Sequence, residues 1–197
     1  MPRRHAAAPA MLLVLLLAGC GTTPPVSYYT LPSDPAPQSA TSPREYSVAV
    51  GPVTVPDAVD RPQLVLRTSA TRVEVVELAR WAAPLKHEIP RVVAQHLARL
   101  LPGAATATSA ERAMNAPDYR VVIDIQRFDS APNESAAIEA AWTVRGAGGV
   151  SRSGRSVATE TSAAGHAALV EAHGRALAAI SRDIAAAITA LQAAAAK

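Results

Sequence analysis

The 197-residue chain contains one cysteine, one phenylalanine, two tryptophans and four tyrosines. A lone cysteine excludes an internal disulfide framework and any zinc site built on several thiolates. With so few aromatics the core must be assembled from aliphatic and alanine side chains, which the 49% apolar composition makes available. Neither sign of charge dominates. The 19 Lys and Arg residues stand against 16 Asp and Glu, a net +3, without the basic stripe that nucleic-acid binding requires. No nucleic-acid partner is therefore expected, and a charged fraction of 18% is too low for a disordered polyelectrolyte. The length suits one domain with appendages better than two domains.

Signatures of chemistry are absent too. The sequence holds no Gly-x-Ser-x-Gly elbow, no His-Glu-x-x-His, no Gly-x-Gly-x-x-Gly and no phosphate loop. Nucleophilic catalysis needs a hydroxyl or thiol beside an oriented base, and the one thiol, Cys20, is engaged otherwise as argued next. Of the histidines, His166 and His173 are seven residues apart and could share a helix face, but no acid accompanies them there. With His87 and His96 they are expected on helix surfaces or partly buried, so no metal, cofactor or catalytic residue is assigned. Asp124 interrupts an apolar strand pattern beside Arg120 and Gln126, which points to a solvated or edge-facing strand side.

What is present begins at the N-terminus. Arg3 and Arg4 precede an apolar run from Met11 to Ala18, far short of the ~20 residues that span a bilayer. It reads as a secretory signal, residues 1–19. Leu17-Ala18-Gly19-Cys20 fits the bacterial lipobox, in which small residues precede a cysteine that is acylated and becomes the new N-terminus. Cleavage would remove Arg3 and Arg4 but no acid, bringing the net charge closer to zero. Diacylglyceryl plus an N-acyl chain anchors stably where one chain would not. Gly21, in place of an aspartate, favours the outer membrane facing the periplasm.

Residues 20–45 carry six prolines, at 24, 25, 32, 35, 37 and 43, and such chain is extended and semi-rigid. The island Tyr28-Tyr29-Thr30-Leu31 stands out, and its two aromatics are expected to shelter against the globular body as a short docking strand. That leaves a leash of about seven residues, roughly 20 Å, to the membrane.

Residues 46–197 read as one α+β domain. Tyr46 to Val55, Gln63 to Thr68 and Arg72 to Leu78 are β-rich runs separated by turns, and Pro52 inside the first predicts an edge strand or a bulge. Leu85, Ile89, Val92, Val93, Leu97, Leu100 and Leu101 recur at helical spacing until Pro102-Gly103, with Pro90 expected to kink or restart the helix. Tyr119 to Phe128 and Ala137 to Arg145 alternate as half-buried strands. The glycines from Gly146 to Gly149 offer a hairpin, and Ser151 to Thr161 returns with polar residues on both faces. Leu169, His173, Leu177, Ile180, Ile184, Ile188 and Leu191 form one stripe of a long helix. A membrane-surface helix would carry more basic residues, so packing on the sheet is the expectation.

Val50-Gly51-Pro52-Val53, Val55-Pro56, Asp60-Arg61-Pro62-Gln63-Leu64-Val65, Arg80-Trp81-Ala82-Ala83-Pro84-Leu85 and the helix up to Pro102 closely resemble the PqiC-like, or ABC-type transport auxiliary, lipoproteins. The lipobox followed by Tyr28-Tyr29-Thr30-Leu31 fits the same family, and the similarity spans nearly the whole mature chain. Ala83 stands where the family often has glutamate. The resemblance implies an α+β fold with a mixed, largely antiparallel sheet backed by two main helices. It implies a non-enzymatic outer-membrane component of a transport system built on mammalian-cell-entry (MCE) proteins, which carry lipids between the two membranes and support envelope integrity. Some family members form rings, so a homo-oligomer is a further implication, with an MCE-family protein and the outer membrane as partners.

Arg61 and the pair Arg80-Trp81 sit beside turns and strand ends, and Arg and Trp are enriched at interface hot spots. The same residues would serve equally as a brace for the turn and a cap on the core. A monomeric lipid- or solute-binding lipoprotein remains the alternative, and it would need a sizeable apolar pocket. An envelope hydrolase would need a nucleophile and base that the sequence does not display.

Overall fold

A computed structural model describes residues 24–33, 45–111 and 116–195. The signal segment 1–19, Cys20 and the tether residues 34–44 lie outside the described residues. The strands are β1 (Ser27–Tyr29), β2 (Tyr46–Thr54), β3 (Gln63–Arg67), β4 (Val73–Trp81), β5 (Ala104–Thr108), β6 (Tyr119–Ala131), β7 (Ser135–Gly146) and β8 (Ser151–Thr161). Two helices join them, α1 (Leu85–Leu100) between β4 and β5, and α2 (His166–Ala195) at the end.

The α+β class holds, with the strands divided between two sheets: β1-β4-β3, and β5-β2-β6-β7-β8. β1–β4, β2–β5 and β2–β6 pair in parallel, but the longest ladders, β6–β7 and β7–β8, are antiparallel. Both helices pack on the five-stranded sheet, α1 against β2 and β5, α2 against β7 and β8. The small sheet joins the large one where β3 meets β6.

The alternation read from the sequence is the alternation of burial. Val121, Ile123 and Ile125 on β6 face Ile138, Ala140, Trp142 and Val144 on β7, all at 8% exposure or less. A register shift between Ile125 and Arg127 then rephases β6, so that Phe128 and Ser130 are buried in their turn. β8 looked too polar for a buried face because two of its inward positions serve one ring. Gly154 lies under the indole of Trp142, where an added Cβ would come within 2.4 Å of the ring. Ser156 accepts a hydrogen bond from Trp142 Nε1 (2.9 Å) and donates one to Asp183 (2.6 Å).

Pro52 marks a bulge, not an edge: β2 is flanked by β5 and β6, and its register shifts between Val50 and Val53. Gly51 there has φ +121°, and a side chain would collide with Ser109 Oγ at 2.5 Å. The first helix runs through buried Pro90 as one element. The stripe from Leu169 to Ile188 is buried throughout, Leu191 partly. By length and composition α2 could cross a membrane, but its apolar stripe is spent on the sheet. β5 was not anticipated, because Ala-Ala-Thr-Ala-Thr offers no large apolar residue to mark a strand.

The docking strand exists, with a different anchor from the one expected. Tyr28 is 65% exposed, whereas Leu31 is 1% exposed. The strap is fastened on three sides. β1 pairs with Ala79 to Trp81, Ala82 N–H donates to the Tyr29 carbonyl at 2.8 Å, and Arg91 Nη2 donates to the Leu31 carbonyl at 3.3 Å. Pro32 then crosses α2 at Gly174, where any Cβ would stand 2.6 Å from Pro32 Cγ.

Candidate functional site

The two sequence motifs meet at one end of the small sheet. The Asp60-Arg61-Pro62 turn is closed by Asp60 N–H to the Pro56 carbonyl (3.1 Å) and Arg61 N–H to the Val59 carbonyl (2.8 Å). It is joined to the second motif by Trp81 N–H donating to the Pro62 carbonyl at 2.7 Å. Pro84 then supplies the non-helical residue before α1 and accepts from His87 and Glu88 N–H. Between the motifs lies an open cleft of about 290 Å³, walled by Pro62, Trp81, Ala82, Ala83 and Pro84, with Asp60, Arg61 and Lys86 as its charged groups. Lys86 Nζ reaches Asp60 at 3.5 Å, and Arg61 is exposed.

The structure thus brings Arg61 and Trp81 together and separates Arg80 from them. Adjacent strand residues point to opposite faces, and Arg80 is held at Glu77, with Nε donating to the Glu77 carbonyl (3.1 Å) and Nη2 at 3.9 Å from its carboxylate. Trp81 is buried to 6% exposure and meets Phe128 edge-on, ring centroids 6.1 Å apart. Its body caps the core, and only its rim borders the cleft. Of the two roles left open for Trp81, core capping is the one the packing supports.

A second groove of about 290 Å³ continues past Lys86, lined by Val50, Gly51, Pro52, His87, Pro90 and Ser109 among others. His87 lies exposed on the helix, as the sequence predicts, whereas nothing in the sequence pattern distinguishes Lys86. The Gly51-Pro52 bulge was the available signal, since it opens the end of β2 here. A smaller cavity of about 120 Å³ lies where β3 meets β6. At its edge Asp129 is gripped by Arg67 (2.9 Å) and Arg127 (3.0 Å). The Asp129 hydrogen bond and charge push the Arg67 guanidinium pKa up.

Exposed His87 and half-buried His166 match the sequence reading, whereas His173 and His96 depart from it. His173 is fully buried, not on a helix surface, and lies parallel to Phe128 with centroids 3.9 Å apart. Its Nε2 is 2.8 Å from Ser130 Oγ, and burial pushes its pKa down to about 3. The distance would suit a nucleophile and its base, but both are buried in the core. Among the described residues His173 Nδ1 has no hydrogen-bond partner, so none of them supplies the carboxylate that would orient a base. His96 is buried beside Ser181, 3.3 Å away. Asp124 is exposed, as expected, and accepts a hydrogen bond from Thr54. Among the described residues no three His, Cys, Asp or Glu side chains form a metal-binding group.

Proteins of known structure share this fold at low sequence identity. An uncharacterized protein of known crystal structure superposes with a TM-score of 0.69 at 20% identity, over 84% of this chain and 99% of its own. Protein XCC0632 from Xanthomonas campestris, of family DUF330, gives 0.60 at 20% identity over 85% and 99%. No curated protein matches significantly. The family described as ABC-type transport auxiliary lipoprotein component matches residues 29–185, from the strap through most of α2. The chain belongs to the ABC-type transport auxiliary lipoprotein component family.

Proposed function

We propose that this protein is the non-enzymatic, outer-membrane, periplasm-facing lipoprotein of an MCE-type lipid transport system, anchored through Cys20 and docking its partner at the Arg61 cleft. The observation that carries this reading is the cleft itself. Its walls come from two of the motifs that carry the family resemblance, tied together by the Trp81 to Pro62 backbone bond, and its rim presents Arg61 and Lys86 where the core has no use for them. A guanidinium beside an apolar, proline-lined wall is the composition of an interface anchor. The alternative of a lipid- or solute-binding monomer has less support, because the two grooves of about 290 Å³ are open to solvent and share the charged Lys86, whereas ligand pockets enclose most of an apolar ligand's surface. Assembly into a ring would place several clefts around one axis, and it belongs to the same proposal.

The test is a pull-down of the full-length, membrane-extracted protein from cross-linked envelopes. Native protein should capture an MCE-family protein, and Arg61→Ala should capture far less, by about thirtyfold for an anchor worth about 2 kcal/mol, with an unchanged melting temperature. Equal capture by both, or capture of no MCE protein by the native chain, overturns the reading. Cys20→Ala in the same envelopes should leave the membrane fraction or remain unprocessed.

A further inference from the structure

Tyr28 is an anomaly. In a chain with seven aromatic residues, this one stands 65% exposed on a strand that is otherwise firmly held. The parallel register sets Tyr28 opposite Arg80, and strand alternation puts Leu78, 40% exposed, on the same outer face one step along. Tyr29 and Trp81, the next pair, turn inward. The outer face of the small sheet therefore carries a tyrosine and a leucine side by side, with Arg80 held at Glu77 on its border. A phenol above an apolar body, next to a leucine and an arginine, is chemistry suited to the boundary between lipid headgroups and acyl chains.

The N-terminal chain says what meets this face. Ser27 is seven residues after Cys20, a leash of about 25 Å at full extension. A body of this size is about 40 Å across. The leash is shorter than the body is wide, and its root is fixed, because β1 is fastened to β4, Arg91 and Gly174. The part of the body nearest the lipid is therefore the small sheet at the root of the strap. The opposite pole is the β7–β8 hairpin, at the end of β6 marked by the Tyr119–Gly146 pair, whereas β3 meets β6 at Asp129 near its other end.

We propose that the outer face of the small sheet, centred on Tyr28 and Leu78, rests on the lipid leaflet that holds the anchor, so that the body stands at a set orientation with the β7–β8 hairpin pointing away. This rests on the acylation of Cys20 proposed above. It goes further, because an acylated protein on a loose leash would present no preferred face.

The test uses the full-length acylated protein, in which the Cys20 thiol is blocked by lipid and an introduced cysteine is the sole site for a thiol-reactive fluorophore. Leu78→Cys reports on the proposed contact and Val150→Cys, at the exposed hairpin, on the far pole. Both are reconstituted in phosphatidylethanolamine–phosphatidylglycerol vesicles with and without lipids bearing a shallow nitroxide quencher. The label at 78 should lose most of its emission to the quencher, and the label at 150 should keep it. Adding Tyr28→Glu to Leu78→Cys should restore much of the lost emission. Protein that floats with the vesicles but is unquenched at 78, or equally quenched at both sites, overturns the proposed orientation and leaves the anchor intact. Protein that fails to float shows that the anchor itself is wrong, and the orientation falls with it.

Discussion

At the scale of single residues, His173 is the side chain whose setting departs furthest from its chemistry in water. The fold needs it neutral, since it is sealed between Phe128 and Ser130 with one ring nitrogen unpartnered. Its pKa is about 3 against 6.5 when unfolded. Between those values the unfolded chain binds the proton and the folded chain does not, so stability falls as the pH drops below 6.5, by about 1.4 kcal/mol per pH unit. Denaturant unfolding at pH 6.5 and pH 5 should therefore differ by about 1.6 kcal/mol from this group alone, the slope being half its full value at pH 6.5. In a His173→Leu, Ser130→Ala double variant, which strands no buried hydroxyl, that difference should shrink by the same amount; an undiminished pH dependence would assign it to other groups.

At the scale of elements, the long strands and both helices were legible because their side chains repeat at the period of the backbone that carries them. Where the pattern failed, a local device had replaced it. The β6 bulge rephases the alternation to deliver Phe128 and Ser130 to His173, and β8 spends Gly154 and Ser156 on accommodating Trp142. Arg80 and Trp81 were grouped as neighbours in sequence, although strand alternation alone places them on opposite faces. The α2 stripe was read correctly and its energetic content is checkable. Ile184 is fully buried on the sheet side of the helix, so Ile184→Ala should cost about 2–5 kcal/mol of unfolding free energy. A membrane-facing isoleucine would instead leave unfolding unchanged and weaken vesicle binding.

At the scale of the whole molecule, the α+β class was legible in the sequence, and its two motifs contain every lining residue of the cleft but Lys86, although not the fact that they meet. The split into two sheets and the seating of the strap depend on contacts between residues far apart in the chain, which no local pattern encodes. Leu31 illustrates this, being one apolar residue among prolines in sequence and one of the most buried side chains in the fold. In the proposed anchoring the strap turns a lipid tether into a defined attachment, and Gly174 is where the helix makes room for the strap. Glycine inside a helix costs roughly 0.5–1 kcal/mol relative to alanine. Gly174→Ala should thus favour α2 locally while driving a methyl group to within 2.6 Å of Pro32, and Gly174→Leu should force the strap off its seat. The expected result for Gly174→Leu is faster hydrogen exchange and faster proteolysis across Ser27 to Leu31, with β6 and β7 amides nearly as protected as before. If the strap amides exchange as slowly in Gly174→Leu as in the native chain, the strap is held by β4 and Arg91 alone. The helix glycine would then play no part in fixing the body to its anchor.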